Sequence, residues 1–147
     1  MTKANIFLDS SALIAGVLSS TGAAHTLLML GEDETIFLTV SEWVVRESEE
    51  ALHRKSPKSI KALRSSLLIS KIQIVVDPSA EEIRANLYLI EDRDDVPVLF
   101  AAVKAGVDYL ATHDHKHFLD DPKVAERAGI KIGTPGDVLA WLRDMLE

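Results

Sequence analysis

The sequence predicts an α/β fold: one domain built on a short parallel sheet of about five strands flanked by helices. Three observations predict it. Apolar runs of strand length alternate with longer amphipathic stretches, the pattern of a parallel sheet covered by helices. The chain has 147 residues, and at roughly 150 residues per domain that is a single core spanning residues 1–147. Hydrophobic residues make up 47% of it, close to the globular average, and no apolar run approaches the roughly 20 residues of a membrane span.

In chain order, Ile6-Phe7-Leu8 opens the first strand, Ile6 to Asp9, and Ser11 to Leu18 continues as a helix. A second helix, Ala23 to Gly31, ends on a glycine suited to a helix C-terminus. Thr35 to Val40 is the second strand; Ser41 to His53 and Pro57 to Ile69 are helices separated by the turn Lys55-Ser56-Pro57. Lys71 to Val76 is the third strand, and Ser79 to Ile90 and Val96 to Gly106 follow as helices, the latter again closed by glycine. Asp108 to Thr112 and Ile130 to Gly133 are the last strands, rich like the others in aliphatic residues. No regular element is assigned between them. Pro135 to Leu146 is the final helix; Thr134-Pro135-Gly136-Asp137 gives it a capping Thr, a Pro at its first position and an acid three residues after the cap.

The absence of cysteine excludes a disulfide scaffold, a Cys-ligated zinc site and a cysteine nucleophile. Met1 to Asn5 runs straight into the first strand without the apolar region or cleavage site of a signal peptide, so a cytoplasmic location is expected. With 16 Lys plus Arg against 23 Asp plus Glu, the net charge of −7 argues at first sight against a nucleic-acid partner. That charge is uneven. Between Glu50 and Asp77 there is no acid, while Arg54, Lys55, Lys58, Lys61, Arg64 and Lys71 all lie there. This strip is either a solvated helix face or a surface that contacts phosphate.

The placement of the acids carries the chemistry. Asp9 ends the first strand and Asp114 stands just beyond Tyr109-Leu110-Ala111-Thr112. In a parallel sheet both positions fall at the carboxyl edge, where α/β folds place ligands, although the ordinary role of such an Asp is a turn or cap. Asp95 ends the acid-rich run Glu91-Asp92-Arg93-Asp94-Asp95 and opens a helix with Pro97 in its first turn, which also suits an N-cap. On a helical wheel of Ser41 to His53, Glu47 falls inside the apolar arc of Trp43, Val44, Val45, Ala51 and Leu52, so it is expected to point toward the protein body. Burying a lone carboxylate costs several kcal/mol unless it is paired or bound to a cation. Three Asp and one Glu converging without cysteine form a hard oxygen set suited to Mg²⁺ or Mn²⁺. Such a metal would activate a water for attack on a phosphodiester. Ser10 and Thr112 are nearby hydroxyls.

These residues resemble a PIN domain, the single-domain α/β metal-dependent ribonuclease family that includes VapC-type toxins of toxin-antitoxin pairs. Ile6-Phe7-Leu8-Asp9-Ser10-Ser11-Ala12-Leu13 is similar to its opening strand and first metal-binding Asp, and Ser41-Glu42-Trp43-Val44-Val45-Arg46-Glu47 to its second motif. The most specific stretch is Asp94-Asp95-Val96-Pro97-Val98-Leu99 followed by Ala105-Gly106-Val107-Asp108-Tyr109-Leu110-Ala111-Thr112-His113-Asp114. Gly133-Thr134-Pro135-Gly136-Asp137-Val138-Leu139 resembles the end of a nuclease or toxin subgroup. The resemblance implies metal-site acids at Asp9, Glu47, Asp95 and Asp114, a supporting hydroxyl at Thr112, and Mg²⁺ or Mn²⁺ as cofactor. It also implies RNA as substrate, a homodimer, and an antitoxin protein as partner; by the charge reading, RNA would be reached through Arg54, Lys55, Lys58, Lys61 and Arg64.

Other classes lack support. A haloacid-dehalogenase-type phosphatase needs a second Asp two residues after the first, where this chain has Ser11, and a receiver domain needs an acidic pair that is missing beside Asp9. No phosphate-cradling glycine loop or nucleophile elbow is present. A PIN-fold module that binds RNA or protein without cutting is the alternative. His113, His115 and His117 alternate along the segment after the fourth strand, and structural or solvent-facing roles are expected for them.

Overall fold

The computed structural model describes residues 3–146, the last as backbone only, so Met1 and Thr2 of the expected leaderless N-terminus lie outside the described residues. Five strands form one parallel sheet: β1 (Asn5–Leu8), β2 (Phe37–Ser41), β3 (Gln73–Val75), β4 (Tyr109–Ala111) and β5 (Lys131–Gly133), in the order β3-β2-β1-β4-β5. All five strands expected from the sequence are present, each within two residues of its expected ends. Strand β1 is central and buried on both faces, Ile6, Phe7 and Leu8 being at most 1% exposed. That is why its sequence is continuously apolar rather than alternating.

The helices are α1 (Ser10–Leu18), α2 (Ala23–Glu32), α3 (Glu42–Lys55), α4 (Ile60–Ile69), α5 (Ala80–Ala85), α6 (Val96–Ala105), α7 (Lys123–Ala128) and α8 (Pro135–Leu146). Three expectations need correction. The expected Ser79 to Ile90 helix stops at Ala85 and continues as a separate 3₁₀ turn, Leu87–Leu89, because Asn86 at φ −121° and ψ 19° leaves the helical path. Pro57 opens a 3₁₀ turn, Pro57–Ser59, ahead of α4 rather than α4 itself. Helix α7 fills the stretch that had no assigned element, as the parallel connection from β4 to β5 requires.

Two glycines read as helix ends behave differently. Gly106 closes α6 at φ 70°, a left-handed conformation open to glycine at little cost. Gly31 lies inside α2, which runs on to Glu32, and is buried. A Cβ at Gly31 would sit 2.5 Å from Leu38 Cδ1 and 2.9 Å from the Ser70 carbonyl, so its smallness lets α2 approach β2. The final helix begins as expected: Asp137 N donates to Thr134 Oγ1 (3.1 Å) and Thr134 N to Asp137 Oδ2 (2.9 Å). Among the described residues no single helix is long and apolar enough to cross a membrane.

The packing at Gly31 sets a test. In an open helix a Gly-to-Ala change gains about 1 kcal/mol. Here Gly31→Ala should instead destabilise by about 1–3 kcal/mol, through overpacking against Leu38 and the Ser70 carbonyl, as read from urea denaturation. A stability equal to or above wild type would show that α2 and β2 separate without cost.

Candidate metal centre

From central β1 the chain goes first toward β2 and β3 and later returns to the other side as β4 and β5, so the loops leaving β1 and β4 diverge at a topological switch point. The register Leu8↔Ala111 brings the next residues, Asp9 and Thr112, side by side. Asp9 Oδ1 accepts from Ser11 Oγ (2.6 Å) and Ala12 N (2.9 Å), and Oδ2 accepts from Thr112 Oγ1. Asp9 therefore caps α1 and faces the sheet edge at once. Its burial raises its pKa above the ordinary value, against the hydrogen bonds from Ser11, Thr112 and Ala12, and the charge of Asp114 pushes the same way as burial.

Thr112 is fully buried, and its Oγ1 also accepts from Asp114 N (3.0 Å), so one hydroxyl ties two acids together. The carboxylate of Asp114 accepts from His117 N at 3.0 Å and caps a wide turn, His115–Leu119, in which Leu119 N donates to the Asp114 carbonyl (3.1 Å) and Asp120 N to the His115 carbonyl (2.8 Å). Asp95 ends a 3₁₀ turn, Arg93–Asp95, in helical conformation, and its side chain makes no cap hydrogen bond, so the alternative of a side-chain N-cap does not hold. Its Oδ2 is buried and has no hydrogen-bond partner. Burial pushes its pKa up to about 6; the nearby His117 opposes this, while the charges of Asp92, Asp114 and Glu47 add to it.

Glu47 corrects one expectation. It is exposed, and the buried stripe of α3 is Val44, Ser48 and Leu52. A small serine occupies the centre of the inner face, which displaces Glu47 to its flank. That flank borders the sheet edge, where Ser10 Oγ donates to Glu47 Oε1 at 2.6 Å. Asp9, Glu47, Asp95 and Asp114 together line a cavity of about 130 Å³, with Ser10, Ser11 and Asp94 beside them and Val98 and Phe118 supplying apolar wall.

Two residues escaped the sequence reading. His117 Nδ1 lies 2.9 Å from Asp95 Oδ2 and 3.3 Å from Asp114 Oδ2, and Nε2 lies 3.6 Å from Asp92 Oδ2. His117 thus faces the acids rather than solvent alone, and Asp92, Asp95 and His117 bring ligand atoms within 4.8 Å of one another. The available signal was the alternating histidines directly after Asp114. Among the described residues no Lys or Arg pairs with Asp9, Glu47, Asp95 or Asp114. A set of oxygen donors with His117 as the one basic side chain paired to it among the described residues fits a divalent cation.

The class is an α/β domain whose parallel sheet gathers four acids at its switch point. Residues 5–116 match the PIN domain family model PIN_3, and the chain belongs to the PIN-domain family, whose members are generally nucleases that use divalent metals. The crystal structure of PAE2754 from Pyrobaculum aerophilum has the same fold. It aligns over 97% of this chain and 99% of that one with a TM-score of 0.63, at 18% identity. No curated protein matches this chain.

The raised proton affinity of Asp95 has a measurable sign. The folded state holds its proton more tightly than the unfolded state does, so the stability linked to this group is fully present below about pH 4 and is lost as pH rises through about 6. In chelator at pH 7.5, Asp95→Asn should therefore be more stable than wild type by on the order of 1–3 kcal/mol. The difference should shrink toward zero near pH 4. Thermal or urea unfolding across pH checks this, and a less stable variant at pH 7.5 would contradict it.

Proposed function

We propose that this chain is a Mg²⁺- or Mn²⁺-dependent endoribonuclease. The observation that carries the reading is the cavity at the sheet edge, where four carboxylates from separate segments meet with no Lys or Arg paired to them. Asp9, Glu47, Asp95 and Asp114 would hold the cation, and the buried, unpartnered Oδ2 of Asp95 supports that assignment. When bound, such a cation supplies an activated water and offsets charge on the leaving oxygen of a phosphodiester, which leaves a 5′-phosphate and a 3′-hydroxyl.

The chain's own groups do the positioning. Ser11, Ala12 and Thr112 fix the Asp9 carboxylate through uncharged donors, which orient it without neutralising it. Ser10 orients Glu47. Val98 and Phe118 limit water on one side of the cavity. Arg54 lies two helical turns beyond Glu47 on the same face of α3, about 10 Å along the axis, so RNA leaving the cavity meets the basic strip. Arg54, Lys55, Lys58, Lys61 and Arg64 are all exposed, as a phosphate-contacting surface requires. Exposed Leu68, Ile69, Ile74 and Val76 gather at the end of α4 and along edge strand β3, which supports a protein contact there, either a second copy or an antitoxin.

Two measurements test the reading. A mixed RNA pool should be cut with Mn²⁺ or Mg²⁺ and spared in chelator, and Asp9→Asn, which keeps a side-chain acceptor for the α1 cap, should lose at least about 100-fold in rate. Cleavage that survives both chelator and the substitution defeats the proposal; RNA or protein binding with no cleavage in any metal favours the non-catalytic module. Separately, replacing Lys58, Lys61 and Arg64 with Ala should lower the salt slope of RNA binding by up to about 0.7 per lost single-strand phosphate contact. An unchanged slope would return the strip to a solvated face.

A further inference from the structure

Helix α3 carries a tryptophan outside its buried stripe. That stripe is Val44, Ser48 and Leu52, whereas Trp43 stands on the same flank as Glu47 and packs against the core only in part. Positions 43, 46, 47 and 50 are three or four residues apart and form one row on the helix. Trp43, Arg46, Glu47 and Glu50 bound an open cavity of about 270 Å³. Glu47 lines the four-acid cavity as well, so the two cavities share it as a wall. The flank is braced from the neighbouring strand. Asp77, just beyond β3, accepts from Trp43 N (2.8 Å) with one oxygen and from Arg46 Nη2 (2.7 Å) with the other, and its own N–H donates to Glu42 Oε1 (3.1 Å). This clasp fixes the first turn of α3 and holds the Arg46 guanidinium 5.9 Å from the centre of the Trp43 ring.

We propose that Trp43 is a stacking platform for an RNA base, that of a nucleotide adjoining the phosphate held at the four carboxylates, with Arg46 at the edge of the platform. The proposal rests on the nuclease reading, in which RNA reaches those carboxylates. Trp43 precedes Glu47 by one helical turn, about 6 Å along the axis, so the platform lies beside the acids rather than among them. The occupant follows from the lining. Two of its four residues are acids, so a phosphate gains little there, whereas a base is neutral and every base has a face to lay on an indole. The Arg46 side chain is 58% exposed and keeps donors that Asp77 does not use, which extends the platform with a cationic plane. The Glu50 carboxylate only accepts hydrogen bonds, which suits the amino group of adenine and disfavours the exocyclic oxygens of uracil. Adenine, with the larger ring system and the amino donor, is therefore preferred to uracil.

Binding of end-labelled RNA octamers to the full chain, read by anisotropy in Ca²⁺ with gels confirming that the RNA stays whole, tests this apart from cleavage. A uridine octamer with one central adenine should bind at least about 3-fold more tightly than the all-uridine octamer. RNA should quench the tryptophan emission of wild type. In Trp43→Phe, which leaves Trp141 as the remaining indole, the quenching should disappear while affinity stays within about 3-fold, because phenylalanine still stacks. Trp43→Leu should weaken binding about 5- to 150-fold. Circular dichroism and thermal melting establish that the variants fold, and Trp43→Phe carries the test should Trp43→Leu not fold. Quenching that persists in Trp43→Phe, unchanged affinity in folded Trp43→Leu, or equal affinity for the two octamers would overturn the proposal. RNA that does not bind wild type at all would overturn it together with the nuclease reading. Stacking at Trp43 without cleavage in Mn²⁺ or Mg²⁺ would defeat the nuclease reading and leave the base platform standing.

Discussion

Several carboxylates are held at one end of a parallel sheet without a lysine or arginine among them, and the local structure around the switch point is organised by that constraint. The mutual repulsion is visible in Asp95, whose proton affinity is raised by burial and by the charges of Asp92, Asp114 and Glu47. The fold offsets it with uncharged donors. Hydroxyls of Ser10, Ser11 and Thr112 and backbone N–H groups of Ala12 and His117 each donate to a carboxylate. Neutral donors fix geometry while leaving the negative charge in place, whereas an arginine would satisfy the acids and remove their affinity for an ion. The adjacency of β1 and β4 is what allows Thr112 to reach Asp9 at all.

Much of the architecture was legible because strands in a parallel sheet are buried on both faces and therefore carry unbroken apolar runs. Helix interruptions were less legible. Nothing in the hydrophobic pattern of Ser79 to Ile90 marks the break at Asn86, which is set by backbone conformation. Helix α7 has six residues, too few to show a clear period, although the parallel pairing of β4 with β5 demanded a crossover. Gly31 could be recognised as special but not as a packing glycine, since its neighbours Leu38 and Ser70 come from elsewhere in the chain.

The site divides in the same way. Asp9 and Asp114 follow strands, and chain order alone carries them to the sheet edge. Asp95 is marked by the proline two residues on. Glu47 reaches the expected cavity on an unexpected face, because a helical wheel does not show that Ser48 takes the inner position. His117 and Asp92 were not legible: their approach depends on the wide turn after Asp114, and sequence periodicity does not encode where such a turn aims a ring. The net charge of −7 likewise resolves into parts, with acids collected at the sheet edge and bases collected on the surface of α4 and the end of α3.

The bond from Thr112 to Asp9 spans 103 positions in sequence. At about 5–20 residues per second, a ribosome needs about 5–20 s to make the intervening chain. Until then β1 can pair with β2, but β4, its neighbour on the other side, has not been made. An acidic centre divided in this way between the two halves of the chain stays incomplete on the ribosome, and a chain truncated before β4 leaves Asp9 without the neighbours that complete the cavity.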